Sequence, residues 1–324
     1  MLNTKLYAMM KKMILVLAAA FLSVGIMSAQ DLAQATELYN NGANALTTGD
    51  KVSALEYFQK AYEMGKTIGE EADELVKNCK QAIPTVMLSM AKELSNNQEY
   101  DKALEQIQAA ITVAKDFAVS EVEEEATSLL PQIELMKDMD AANDAFNAKD
   151  LTGAAALYNK VLEADPSNGP ASIRLVQCLA NSGQIEEAKK ALSVAEANGQ
   201  GENAKKVIGG ALLKVAANNL KEKKFAEALA NAVQVNEYTE NAQAFLVAGQ
   251  ASQQLKKNAD AIKYFEQYLA AAPTAKNANA ITFTVGALYQ GAGNKVKALE
   301  NYKKVVNDPK LGVQAKQMID ALSK

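Results

Sequence analysis

Seven alanines, Ala54, Ala103, Ala154, Ala188, Ala228, Ala261 and Ala298, anchor a pattern that restricts this chain more than any other feature. Four residues after them stand Phe58, Ile107, Tyr158, Leu192, Ala232, Phe265 and Tyr302, and seven after them Ala61, Ala110, Val161, Ala195, Val235, Tyr268 and Val305. Steps of four and seven put these side chains on one face of a helix. Twelve residues before the anchors stand Gly42, Ala91, Ala142, Val176, Ala216, Gly249 and Gly286, all but Val176 small enough to let a second helix come close. A short polar turn separates the two helices each time: Thr48-Gly49-Asp50, Asn96-Asn97-Gln98, Lys149-Asp150, Ser182-Gly183-Gln184, Lys223-Lys224, Lys256-Lys257-Asn258 and Gly293-Asn294. Such residues stop helices and form turns. The unit is therefore a helical hairpin that recurs seven times, and hairpins of this size bury their apolar faces by stacking on one another.

These residues resemble the tetratricopeptide repeat, whose pattern runs Gly or Ala, aromatic, Ala, aromatic, Pro over two helices. The match is best at Gly42 with Ala54, Phe58 and Ala61; at Ala154, Tyr158 and Pro166; at Gly249, Ala261, Phe265 and Pro273; and at Gly286, Tyr289, Ala298 and Tyr302. It covers about residues 35 to 310. The chain departs from the family in having no tryptophan, and the fifth repeat is the weakest, with Asn219 and Ala232 at positions that usually carry larger apolar residues. The resemblance implies an all-α, right-handed α-solenoid of about seven such hairpins.

Successive anchors lie 33 to 51 residues apart. The two long steps hold additional helical sequence at 70–82 and 121–130, each followed by a proline, Pro84 or Pro131, so each insertion is expected to form a separate or kinked helix. A capping helix is expected over 311–322, with Leu311, Ala315, Met318, Ile319 and Leu322 on its apolar stripe. The expected organisation is a leader at 1–29, repeats with inserted helices at 30–130, regular repeats at 131–310 and the cap at 311–324.

The leader reading rests on Lys11 and Lys12 ahead of an apolar run from Met13, with Ser28-Ala29-Gln30 opening a polar stretch. Met10 is an alternative start, and an uncleaved anchor is the rival reading of the same run, which is short for a membrane span. Cleavage after Ala29 would leave a periplasmic or secreted protein without stable membrane insertion. Loss of three lysines and no acid would take the formal charge from −4 to −7, and with Arg174 as the single arginine the mature chain is a poor candidate for nucleic acid. Cys79 and Cys178 both fall among apolar helical neighbours and read as small buried residues.

The chain has no histidine, which removes Ser-His-Asp and Cys-His catalysis, HExxH zinc sites and His-ligated haem. No cofactor or metal is expected. Glu121, Glu123, Glu124 and Glu125 lack the glycine and spaced ligands of a calcium loop, and with Ser120 they read as a helix start favoured by the helix dipole. Lys221, Lys223 and Lys224 read as a solvated turn of the fifth hairpin.

In the family that the chain resembles, the first helix of each hairpin lines a groove that binds partners. Carried over position by position, that groove comprises Lys92 in the second repeat, Asp140, Asn143 and Asn147 in the third, Arg174, Gln177 and Asn181 in the fourth, Lys214 in the fifth, and Gln250 and Gln253 in the sixth. Amides donate and accept, so they suit the backbone of an extended peptide, and the arginine offers a planar fork to a carboxylate. The same residues also fit the solvated side of amphipathic helices. The set of lysines and asparagines with which the family clamps chaperone tails is not reproduced. Two function classes follow. One is a non-catalytic scaffold that binds a protein or peptide in the bacterial cell envelope, extending to the assembly or organisation of outer-membrane or secreted proteins. The other is an enzyme or ligand-binding protein that uses carboxylates such as Asp138, Asp140 and Asp144.

Overall fold

The computed structural model describes residues 29–323, so the expected leader lies outside the described residues apart from Ala29. Among the described residues there are fifteen α-helices, one 3-10 turn and no strand. The helices are α1 (Ala29–Thr47), α2 (Lys51–Ile68), α3 (Asp73–Asn96), α4 (Tyr100–Asp116), α5 (Ser120–Asn147), α6 (Leu151–Ala164), α7 (Gly169–Asn181) and α8 (Ile185–Ala197). They continue as α9 (Gly201–Lys221), α10 (Phe225–Tyr238), α11 (Ala242–Gln254), α12 (Asn258–Ala271), α13 (Ala278–Gly291), α14 (Lys295–Lys304) and α15 (Gly312–Ser323). Two compact units divide at Asp140, inside α5.

Both units use one packing device. All seven anchor alanines are fully buried, as are the residues seven further on, apart from the marginal exposure of Tyr268 and Val305. In the first unit the Phe58 ring lies against Gly42, where an added Cβ would stand 2.8 Å from Cε1. In the second, Cβ atoms at Gly249 and Gly286 would stand 2.5 Å from Phe265 Cδ1 and 3.0 Å from Tyr302 Cε1. The bare glycine thus admits the aromatic ring of its own hairpin partner, and burying such a ring stabilises by roughly 1.5 to 3 kcal/mol. In the fifth hairpin both positions are small, Ala216 and Ala232, and both are fully buried. Leu192 in the fourth is only partly buried.

Each of the seven turns holds one residue at positive φ: Gly49, Gln98, Lys149, Gly183, Lys223, Lys256 and Gly293. The backbone bonds are those of a left-handed helix stop. At the fifth turn the Lys223 amide donates to Leu220 O at 3.2 Å and the Lys224 amide to Asn219 O at 2.8 Å. Three of these turns use lysine, a residue that tolerates this conformation less well than glycine.

The two insertions decide between the alternatives of a separate and a kinked helix only in part. Neither forms a separate helix: α3 runs unbroken through Pro84 and α5 through Pro131. Apart from a 3-10 turn at Glu70–Ala72, the inserted sequence is continuous with the first helix of the next hairpin. Pro84 is buried in the first core together with Ile83, Val86 and Met87, and this packing outweighs the lost intrahelical hydrogen bond. A correction concerns α15. Its stripe holds for Ala315, Ile319 and Leu322, which pack against the core of the last hairpins, whereas Leu311 precedes the helix and is partly buried, and Met318 is exposed. Three residues beyond Ala315, Met318 has turned past the buried arc, while Ile319 at four residues remains on it.

Candidate functional site

The first helices of the second unit, α7, α9, α11 and α13, carry most of the expected binding residues. Helix α7 starts where Asn168 accepts the Ala171 amide at 3.0 Å, with Pro170 in the first turn. Its buried side is Ala171, Ser172, Leu175, Val176, Cys178 and Leu179. That leaves Arg174 and Gln177 half-buried and Asn181 exposed.

Arg174 is held from two directions. Its guanidinium carbon lies 4.4 Å from the centre of the Phe146 ring, and its Nη1 donates to Gln177 Oε1 at 3.0 Å. The ring covers one face of the guanidinium, and a cation against an aromatic face is attracted by the ring quadrupole. No acid pairs with Arg174 among the described residues. The arrangement can therefore accept a carboxylate without first breaking an ion pair. Sequence reasoning missed Phe146. The available signal was an aromatic residue between Asn143 and Asn147, on the stretch taken to be polar.

The other expected residues fare differently. Asn143 has an internal role: its Oδ1 accepts the hydroxyl of the fully buried Tyr158 at 2.8 Å. Burial raises the pKa of that phenol, against a smaller lowering by the Arg174 charge. Asn147 is exposed at the end of α5. Lys214 on α9 and Gln253 on α11 are exposed, and Gln250 is half-buried. In the first unit Lys92 is paired with Glu125 at 2.6 Å, and Asp140 accepts the Tyr100 hydroxyl at 2.9 Å. The structure thus brings Arg174 and Gln177 together, and it gives Lys92, Asp140 and Asn143 partners of their own.

Of the carboxylates considered for catalysis, Asp140 is engaged as described and Asp144 is exposed. Among the described residues, no three acids or cysteines lie where they could hold one metal ion. Cys79 and Cys178 are both free and buried, and burial pushes each thiol up to about 11. The four-glutamate run lies in the first turns of α5, where Glu125 serves Lys92. Among the described residues no helix is long and apolar enough to cross a membrane.

Residues 145–209 and 221–276 match two family models, each described as a tetratricopeptide repeat. No curated protein matches the sequence. Similar solved structures include the tetratricopeptide domain of P58(IPK), at 15% identity over 90% of this chain and 97% of that one, with a TM-score of 0.28. A tetratricopeptide repeat protein from Parabacteroides merdae is 13% identical over 91% of this chain and all of the other, with a TM-score of 0.27. YrrB, described as having an unusual peptide-binding site, is 23% identical over 56% of this chain and 91% of its own, with a TM-score of 0.31.

Proposed function

Since the chain belongs to the tetratricopeptide-repeat superfamily, we propose that it is a non-catalytic scaffold whose second unit binds a protein partner along its first helices, in the bacterial cell envelope. The repeats support a protein-interaction scaffold as such. The envelope location is supported by the lysine-flanked apolar leader, and the proposal extends to a role there in assembling or organising outer-membrane or secreted proteins.

The observation that carries the binding face is Arg174, stacked on Phe146, bonded to Gln177 and without an acid of its own. An ordered, unpaired guanidinium is poised to bind, because little of its side-chain freedom remains to be lost on contact. Asn181, Gln250 and Gln253 add donors and acceptors along the same set of helices.

The test is a photo-reactive residue at Gln177 in intact cells, with the captured protein identified and the mature amino terminus sequenced. The reading expects one dominant envelope protein, captured by a chain that begins near Gln30. Capture of nothing from Gln177 would remove the binding face, and an intact amino terminus in the membrane pellet would replace export by anchoring.

A further inference from the structure

Two helical glycines meet no neighbour, Gly291 at the last position of α13, where a helix end suits glycine, and Gly210 in a helix interior. Gly42, Gly65, Gly209, Gly249 and Gly286 lie inside helices, and at each a Cβ would meet a neighbour at 3.0 Å or less. Gly210, in the middle of α9, would meet nothing within 4 Å. Glycine inside a helix costs stability relative to alanine, and that cost is offset at the other five positions by close packing. At Gly210 the bare backbone faces open space.

Gly210 sits on a stripe. Lys206, Gly210, Lys214, Asn218 and Lys221 recur at helical spacing along α9, and all five are exposed. No ion pair engages Lys206, Lys214 or Lys221 among the described residues. The stripe carries no acid, and its surroundings are equally one-sided. Helices α7, α9, α11 and α13 together hold Arg174, Lys205, Lys206, Lys214 and Lys221 against one acid, Glu202, which Lys205 already engages. The second helices of the same hairpins, α8, α10, α12 and α14, hold eight acids against seven lysines. The first helices are thus net positive in a chain whose net charge is negative, and four of their five cations lie on α9.

We infer that the α9 stripe docks an extended acidic segment of the partner, with its backbone passing close over Gly210 and its carboxylates on Lys206, Lys214 and Lys221. Three unpaired ammonium groups select acidic side chains, and the missing side chain between two of them lets a peptide backbone approach the helix. Helices α7, with Arg174 and Gln177, and α11, with Gln250 and Gln253, both pack against α9. The inference rests on the binding face proposed above and specifies its ligand. It also gives Lys221, which reads from the sequence as part of a solvated turn, a place on the stripe, whereas Lys224 pairs with Glu222 at 2.7 Å.

The experiment uses the full mature chain and two amidated, acetylated probe peptides, one alternating Gly with Asp and the other Gly with Asn, titrated by calorimetry and by amide shifts. The Asp peptide is expected to bind and to shift the amides around Gly210, and the Asn peptide to bind at least about tenfold more weakly, the factor that 1.4 kcal/mol represents. Lys214→Gln should weaken the Asp peptide by about two- to fivefold, as for exposed ion pairs. Gly210→Ala should raise the melting temperature, because alanine favours the helix, and yet weaken the same peptide. Lys303→Gln and Lys304→Gln on α14 should leave binding unchanged. Equal binding of the two peptides overturns the inference, as does Gly210→Ala that stabilises without weakening binding, or tighter binding of an oligodeoxythymidylate of equal charge. If Gln177 captures a partner that the Asp peptide fails to displace, the inference falls and the scaffold reading stands. If Gln177 captures nothing, the scaffold reading falls with it.

Discussion

The two units are built on the same glycine–aromatic contact and differ in how their polar side chains are used. Gly42 with Phe58 in the first repeats the contact of Gly249 with Phe265 in the second. On the first unit, cations of one helix are paired with acids of another: Lys51 with Glu93 at 2.8 Å, Lys92 with Glu125 at 2.6 Å and Lys137 with Asp101 at 2.5 Å. On the second, Lys205 of α9 pairs with Glu196 of α8 at 3.1 Å, while Arg174, Lys206 and Lys214 have no acid among the described residues. The same repeat can therefore spend its first-helix polar side on its own stability or keep it available, and charge placement in the sequence decides which. Contacts within a hairpin fix the fold, while the residues outside them are free to set the function.

The largest expected effects test the shared contact. Phe58→Ala and Phe265→Ala should each destabilise by about 3 to 5 kcal/mol, because each empties a ring-sized space beside a glycine. Denaturant melts of both variants check this, and a much smaller cost in one unit would break the equivalence of the two cores. Next come two glycines of opposite expectation. Gly249→Ala drives a Cβ into the Phe265 ring and should destabilise by about 1 to 3 kcal/mol. Gly210→Ala meets nothing and should stabilise by up to about 1 kcal/mol. The smallest effect sharpens the polar difference. A double-mutant cycle on Lys92 and Glu125 should give a coupling of about 0.2 to 1 kcal/mol in stability, since both side chains are about half exposed. A coupling of zero would mean that the first unit's ion pairs do not serve its stability.

Much of this was legible in the sequence, because the hairpin is a local object. The anchor alanines, their partners at four and seven residues, and the turn residues all lie within one repeat, and the spacings that place them follow from helix geometry alone. The sequence left open whether α3 and α5 break at their prolines or run through them. A proline in a helix marks a break by default, and only burial among Ile83, Val86 and Met87 shows why the helix continues through Pro84. The candidate site was legible as positions and not as partners. Lys92 and Arg174 look alike as groove residues, and what separates them is a glutamate 33 residues away in one case and a phenylalanine 28 residues away in the other. Such contacts between hairpins depend on how neighbours stack, which one sequence does not display. Asn143 shows the same limit, since its amide serves the buried Tyr158 hydroxyl.

The central claim is that the second unit's first helices bind and the first unit's equivalents stabilise. Its most direct measurement compares Arg174→Ala with Lys92→Ala for affinity toward the protein captured from Gln177. Arg174→Ala should weaken binding by about 1.5 to 3 kcal/mol, the range for hydrogen bonds to charged groups, while changing stability by no more than about 0.5 kcal/mol. Lys92→Ala should leave binding unchanged. Unchanged binding in Arg174→Ala, or an equal loss in Lys92→Ala, would contradict the account.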